Sequence, residues 1–287
     1  MKQGLILEGG AMRGMFTAGV LDVLMENNID FAGAVGVSAG ATFGCNFKSR
    51  QIGRAIRYNK RFCRDPRYCG IRSLITTGDL YGAKFCYETL PKELDVFDTE
   101  TYSKNPMDFY VVCTDMNTGK AVYHNCRTGD GKDLKWMRAS ASLPGVSRPV
   151  VINGRKLSDG GTADSVPLKF MEKMGFEKNV VVLTQPAAYR KQTLKNFWLI
   201  KLMIHRYPAL IKALETRPYR YNKNIAYIRE REQAGEAFII CPEESLDIGA
   251  MEKDPSELER VYQTGRKRAE TLLPKLKEYI KEAASLN

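Results

Sequence analysis

No stretch of this 287-residue chain approaches the roughly 18 uncharged apolar residues that a membrane-crossing helix needs. The longest candidate, Phe197 to Ile204, is interrupted by Lys201. The opening apolar run, Leu5 to Leu7, stops at Glu8 and is too short for a secretory leader. Cysteine is sparse, odd in number and scattered: seven residues, at 45, 63, 69, 86, 113, 126 and 241, with no C-x-x-C pair. That rules against a disulfide framework and a zinc cluster, so no metal or other cofactor is expected. Separate reduced thiols in a cytoplasmic protein are the reading. Neither an internal repeat nor a low-complexity tract is present. Histidine is nearly missing, with only His124 and His205.

What is there is an ordinary globular composition, 44% apolar and 27% charged, long enough for one large domain or a domain with an appendage. The net charge of +11 is unevenly spread. Residues 48–72 carry nine Lys/Arg against Asp65, and residues 190–231 carry eleven against Glu215 and Glu230. Two basic stretches on a neutral-to-acidic body suggest an anionic partner, although a merely solvated basic face gives the same pattern. Aromatic and basic residues interleave at Arg57-Tyr58, Arg67-Tyr68 and Tyr219-Arg220-Tyr221. No nucleic-acid motif accompanies them, so no nucleic acid is expected as a partner.

Periodicity predicts strands at 3–7, 31–37, 108–115, 120–124, 150–152, 155–157, 179–184 and 237–241. Helices are expected at 15–27, 39–48, 52–63, 83–94, 134–142, 166–174 and 255–284, with a basic helical region up to about 233. Strands alternate with helices in the first half, which predicts a mainly parallel sheet covered on both faces. Trp198 to Lys212 reads as one amphipathic helix kinked at Pro208. Extending its period to residue 191 puts Lys191, Lys195, Lys201, His205, Arg206 and Lys212 in one arc, as on a membrane-surface helix.

Gly36-Val37-Ser38-Ala39-Gly40 lies between a predicted strand and a predicted helix. A serine there, with glycine two places away on either side, is the nucleophile-elbow pattern. The bend is too sharp for flanking side chains, and it pushes the hydroxyl outward. A serine nucleophile needs a base. Neither histidine suits: His205 falls in a helical pattern, and His124 precedes any candidate acid. The remaining candidate is a carboxylate, best Asp159 in Leu157-Ser158-Asp159-Gly160-Gly161, where Asp-Gly is also an ordinary turn. The loop Gly9-Gly10-Ala11-Met12-Arg13-Gly14 runs into a helix, as an anion-binding loop does. It matches neither a P-loop nor a dinucleotide fingerprint. With a serine elbow one βα unit later, an oxyanion hole aided by the Ala39 N–H is the better reading.

The order Gly-Gly-x-x-Arg-Gly, Gly-x-Ser-x-Gly and Asp-Gly-Gly, with Arg138-Ala139-Ser140-Ala141-Ser142-Leu143-Pro144-Gly145 before the aspartate, resembles the patatin-like phospholipase family. The resemblance covers roughly residues 4–170. It implies a three-layer α/β/α sandwich, a Ser–Asp dyad without a metal, and hydrolysis of lipid acyl esters. By motif, Ser38 would be nucleophile and Asp159 base. Glu8, Ala11 and Asp164-Ser165 depart from the family pattern. Residues 4–172 are expected to form the patatin-like domain. Residues 173–287 would be an extension of helices with one or two strands completing the sheet. The expected function is a cytoplasmic serine acyl hydrolase of lipid or lysolipid esters, with peripheral contact to an anionic membrane. A soluble carboxylesterase or thioesterase with the same dyad, or a non-catalytic lipid-binding protein, is the alternative.

Overall fold

The computed structural model describes residues 1–285, with side chains to Lys281. Eight strands form one sheet: β1 (Lys2–Leu7), β2 (Gly33–Val37), β3 (Asp108–Asp115), β4 (Ala121–Asn125), β5 (Val150–Ile152), β6 (Arg155–Asp159), β7 (Phe176–Val182) and β8 (Ala237–Ile240). Neighbours run β5-β6-β3-β2-β1-β7-β8, with β4 also paired to β3. The four central pairings are parallel. Those of β4, β5 and β6 are antiparallel. The β5–β6 turn is Asn153-Gly154, both with positive φ (49° and 74°), as a tight two-residue hairpin turn demands.

The strands are apolar on both faces because both faces are covered. Leu5, Leu7, Ala34, Phe109, Val111, Val180 and Val182 face one core. The alternating Ile6, Val35, Val37, Tyr110, Val112 and Val181 face the other. On the first side pack α1 (Gly14–Glu26), α2 (Ala39–Lys48), α3 (Arg54–Phe62), α6 (Gly131–Ser140) and α10 (Pro255–Ser285). On the second pack α7 (Leu168–Lys173) and α9 (Pro208–Gln233). The architecture is the expected α/β/α sandwich, with helices from the C-terminal region in both outer layers.

Two short helices, α4 (Ile71–Thr77) and α5 (Thr99–Lys104), are too brief to produce a periodic signal. The expected helix at 83–94 is instead a π-helix, Phe85–Leu94, with Pro91 inside it. The single kinked helix of 198–212 is not formed. It is split into α8 (Phe197–Met203) and α9, whose first residue is Pro208. Proline at a helix start loses no hydrogen bond, so it begins a helix here rather than bending one. Residues 190–196 are not helical, so Lys191 and Lys195 do not share an arc with Lys212. Among the described residues no helix is long and apolar enough to cross a membrane. All seven cysteines are free.

Candidate active site

The sheet register brings two distant residues together. Val37, the last residue of β2, pairs with Val112 of β3. Asp159, the last residue of β6, pairs with Cys113. Cys113 also pairs with Val122 of β4, so β6 meets β3 along the edge that β2 has just left. Ser38 and Asp159 therefore face each other across one step of β3.

The elbow is real backbone geometry. Ser38 has φ 54° and ψ −118°, a conformation that costs a non-glycine residue on the order of 1–3 kcal/mol. A side chain at Gly36 would strike the backbone of Gly40 and Ala41, and one at Gly40 would strike the Leu7 carbonyl. What holds the bend is the last residue of α6 and the residues just after it. The Ser38 N–H donates to the buried Ser140 Oγ at 2.9 Å. The Asp159 N–H donates to the Ser142 carbonyl at 2.7 Å. One short stretch thus grips both candidate residues. Its Ala-Ser-x-x-x-Pro signature was visible in the sequence, but its task was not.

Asp159 is buried, and burial raises its pKa above the ordinary carboxylate value. The Arg217 guanidinium, the Ser38 hydroxyl, the Gly161 N–H and the Lys191 ammonium pull the other way. Its Oδ1 accepts the Gly161 N–H at 2.8 Å. Its Oδ2 is buried without a regular hydrogen bond. The Ser38 hydroxyl is the side-chain donor beside this carboxylate, in looser geometry than a regular hydrogen bond, as is common before substrate binds. A partly desolvated carboxylate next to an outward hydroxyl can accept its proton.

The glycine loop lies against the same serine. A side chain on Gly9 would come within 3.0 Å of Ser38 Cβ. The Arg13 N–H is spent on the Gly10 carbonyl, and that of Gly14 on Ala11 and Met12. The N–H groups of Gly9, Gly10 and Ala39 make no hydrogen bond among the described residues, so they remain open to an anionic oxygen. Glu8, immediately before the loop, is buried. It accepts from Thr184 N–H (2.6 Å), Thr184 Oγ1 (3.1 Å) and Tyr221 OH (2.8 Å), tying β1 to the end of β7 and to α9.

Two cavities flank the pair. The first holds about 870 Å³ of empty space including its open mouth. Ser38, Ala39, Ala11 and Met12 stand with Tyr58, Tyr87, Leu90, Pro91, Met137 and Leu143 in its largely apolar wall. The second is more polar than the first and lies beyond Gly161, between Asp164 and the α9 residues Arg217, Arg220 and Tyr221. Neither histidine reaches Ser38. His124 stacks on Trp136 at 4.2 Å and faces Asp133 at 3.6 Å. His205 Nδ1 is bonded to the Leu202 carbonyl at 2.9 Å. Sequence reasoning missed Lys191 and Arg217 beside Asp159, because only tertiary packing returns the segment after β7 to the elbow.

The patatin-like phospholipase model matches residues 5–171, more than half of the chain. The chain belongs to the patatin-like phospholipase family. A second model, a domain of unknown function (DUF6363), matches residues 207–281. The chain is 27% identical over 299 residues to the uncharacterized protein YjjU of Escherichia coli (strain K12), covering 98% of this chain and 80% of that one. It is 26% identical over 207 residues to "Lysophospholipase NTE1" of the yeast Meyerozyma guilliermondii. That alignment spans 69% of this chain but only 14% of the larger protein. Among solved structures, VipD from Legionella pneumophila matches with a TM-score of 0.47 at 13% identity, over 96% of this chain and 67% of that one.

Proposed function

We propose that this patatin-like hydrolase of ester bonds is a serine acyl hydrolase with a Ser38–Asp159 dyad, cleaving acyl esters of lipids or lysolipids. The single observation that carries the reading is the apposition of the Ser38 elbow and the buried Asp159 across β3. Ser38 Oγ attacks the ester carbonyl while Asp159 accepts its proton. The carbonyl oxygen, now negative, is held by the N–H groups of Gly9, Gly10 and Ala39. Asp159 returns the proton to the leaving alcohol. It then takes one from the water that attacks the acyl-enzyme and gives it to Ser38 Oγ as the free acid leaves. The apolar cavity beginning at Ser38 accommodates an acyl chain. That cavity favours a lipid over a short soluble ester.

Contact with a lipid surface is supported by exposed apolar side chains on two helices. Trp198 and Leu202 of α8 are 64% and 66% exposed, and Ile71 and Ile75 of α4 are 69% and 78% exposed. Both helices border the Pro144–Pro149 loop, which follows the cavity-lining Leu143. The test is fluorophosphonate labelling. An adduct on Ser38, absent from Ser38→Ala, is expected. No adduct on folded protein would end the serine-hydrolase reading.

A further inference from the structure

Three cations lie near the dyad with no hydrogen-bonded acidic partner, although Asp159 feels the Arg217 guanidinium and the Lys191 ammonium through space. Arg13 comes from the glycine loop, Lys191 from the segment after β7 and Arg217 from α9. None makes a salt bridge or a side-chain hydrogen bond among the described residues, and Nε of both Arg13 and Arg217 is buried without a partner. Lys191 Nζ lies 4.5 Å from the Tyr221 ring centre and 5.7 Å from that of Tyr189. The backbone of Lys191 is fixed by Asn222, whose Oδ1 accepts its N–H at 2.9 Å and whose Nδ2 donates to its carbonyl at 3.1 Å. Arg217 stands close to Gly161, where an added side chain would come within 2.9 Å of both its Nη2 and Asp159 Oδ1. The second glycine of Asp-Gly-Gly therefore leaves room for this guanidinium.

The neighbouring acids are engaged in part. Glu8 is bonded by Thr184 and Tyr221, and Asp159 by Gly161 at Oδ1 alone. Burial and the Arg217 guanidinium push the Lys191 ammonium down to about 8; Arg13 acts in the same direction, while Glu8 and Asp159 oppose. Half-buried cations with no acid in hydrogen-bonding contact are better held when an anion completes them. Arg217 also lines the second cavity, together with Gly161.

We infer that Lys191 and Arg217, together with Arg13, form a subsite for the phosphate of a lipid headgroup, which they hold beside the dyad while the acyl chain occupies the apolar cavity. This rests on the acyl-hydrolase reading for its placement, but its binding test does not need catalysis. Guanidinium and ammonium donors give a phosphate charge-assisted hydrogen bonds, with Arg217 supplying a planar fork. The substrate class is then a phosphate-bearing acyl ester rather than a neutral glyceride. The segment that follows the catalytic motifs selects it.

The experiment titrates Ser38→Ala protein with octyl phosphate, octanol and inorganic phosphate by calorimetry. Octyl phosphate is expected to bind more tightly than either of the others. Lys191→Met and Arg217→Gln are each expected to weaken it at least about tenfold, and Arg217→Lys to retain more than Arg217→Gln. Circular dichroism melts check that each variant is folded. Octyl phosphate binding that is absent, or indifferent to both neutral variants, would overturn the subsite. So would equal affinity for inorganic and octyl phosphate, since the ligand would then be the free anion. Arg217-dependent binding by a chain that never labels with fluorophosphonate keeps the subsite and removes the hydrolase reading. Labelling without octyl phosphate binding does the reverse.

Discussion

The two basic stretches look alike in sequence but differ in how fully the fold ties up their cations. In residues 48–72 almost every cation is consumed by the fold. Buried Lys48 donates to the Met107 carbonyl at 2.7 Å. Arg54 bonds Asn46 and the Asp95 carbonyl, and Arg57 makes a two-pronged contact with Asp95. Arg50, Lys60 and Arg67 pair with acids, and Arg61 and Arg64 donate to carbonyls. In residues 190–231, Lys201, Arg220, Arg229 and Arg231 are similarly tied. Lys191, Lys195, Arg206 and Arg217 are not, and two of these stand at the candidate dyad. Charge density along a chain therefore does not identify an anion-binding surface, because much of that charge is already paired within the fold.

The comparison is sharpest where chemistry and charge are separated. Asp159→Asn is expected to lower ester hydrolysis at least about a hundredfold, as loss of a general base does, while leaving octyl phosphate binding in place. Loss of both together would merge the two roles. The pH profile of kcat/KM should show an acid limb above the ordinary carboxylate value. Asp159 must be unprotonated to act, and burial raises its pKa. Activity is lost as pH falls through that value, and a limb at or below about 3.9 would contradict it.

Next comes stability. Arg54→Met removes a buried cation that bonds Asn46 and Asp95 and should cost about 3 kcal/mol in a denaturant titration. Arg217→Gln should cost less than about 1 kcal/mol, because no hydrogen bond or salt bridge is lost. Equal costs would erase the distinction between the two stretches.

A smaller effect is expected from pH. Lys191 is charged below about 8 and neutral above it. Octyl phosphate affinity should therefore fall between pH 7 and pH 10, on the order of tenfold, and Lys191→Met should flatten that dependence. A profile unchanged by the substitution would assign the titration elsewhere. The smallest effect concerns the membrane. Lys195→Glu with Arg206→Glu should weaken binding to anionic vesicles on the order of 1 kcal/mol per residue. Arg61→Glu with Arg64→Glu should weaken it less, and the reverse ranking would place the lipid surface on the other basic stretch.

Much of the site was legible because its backbone demands are local. The Gly36–Gly40 elbow and the glycine loop need particular residues at fixed short spacings, so they leave a mark in one sequence. Asp159 became the candidate base through the Asp-Gly-Gly motif and the poor placement of His124 and His205, because a serine nucleophile would need a base. The helix boundary at Pro208 was misread because a helical period continues across it, and only the start of a second helix separates the two halves. α4 and α5 are shorter than the window over which periodicity can be counted.

The sequence by itself determined the alternation of strands and helices, the two-faced apolar strands and the serine bend, because each follows from local sterics and short-period burial. Tertiary structure alone decided that β6 would take over the edge of β3 where β2 ends, setting Asp159 against Ser38. It alone decided which cations would be neutralised by carbonyls and acids. Those outcomes depend on contacts between residues far apart in the chain, such as Ser38 with Ser140 and Glu8 with Tyr221, for which no short spacing in the sequence is required.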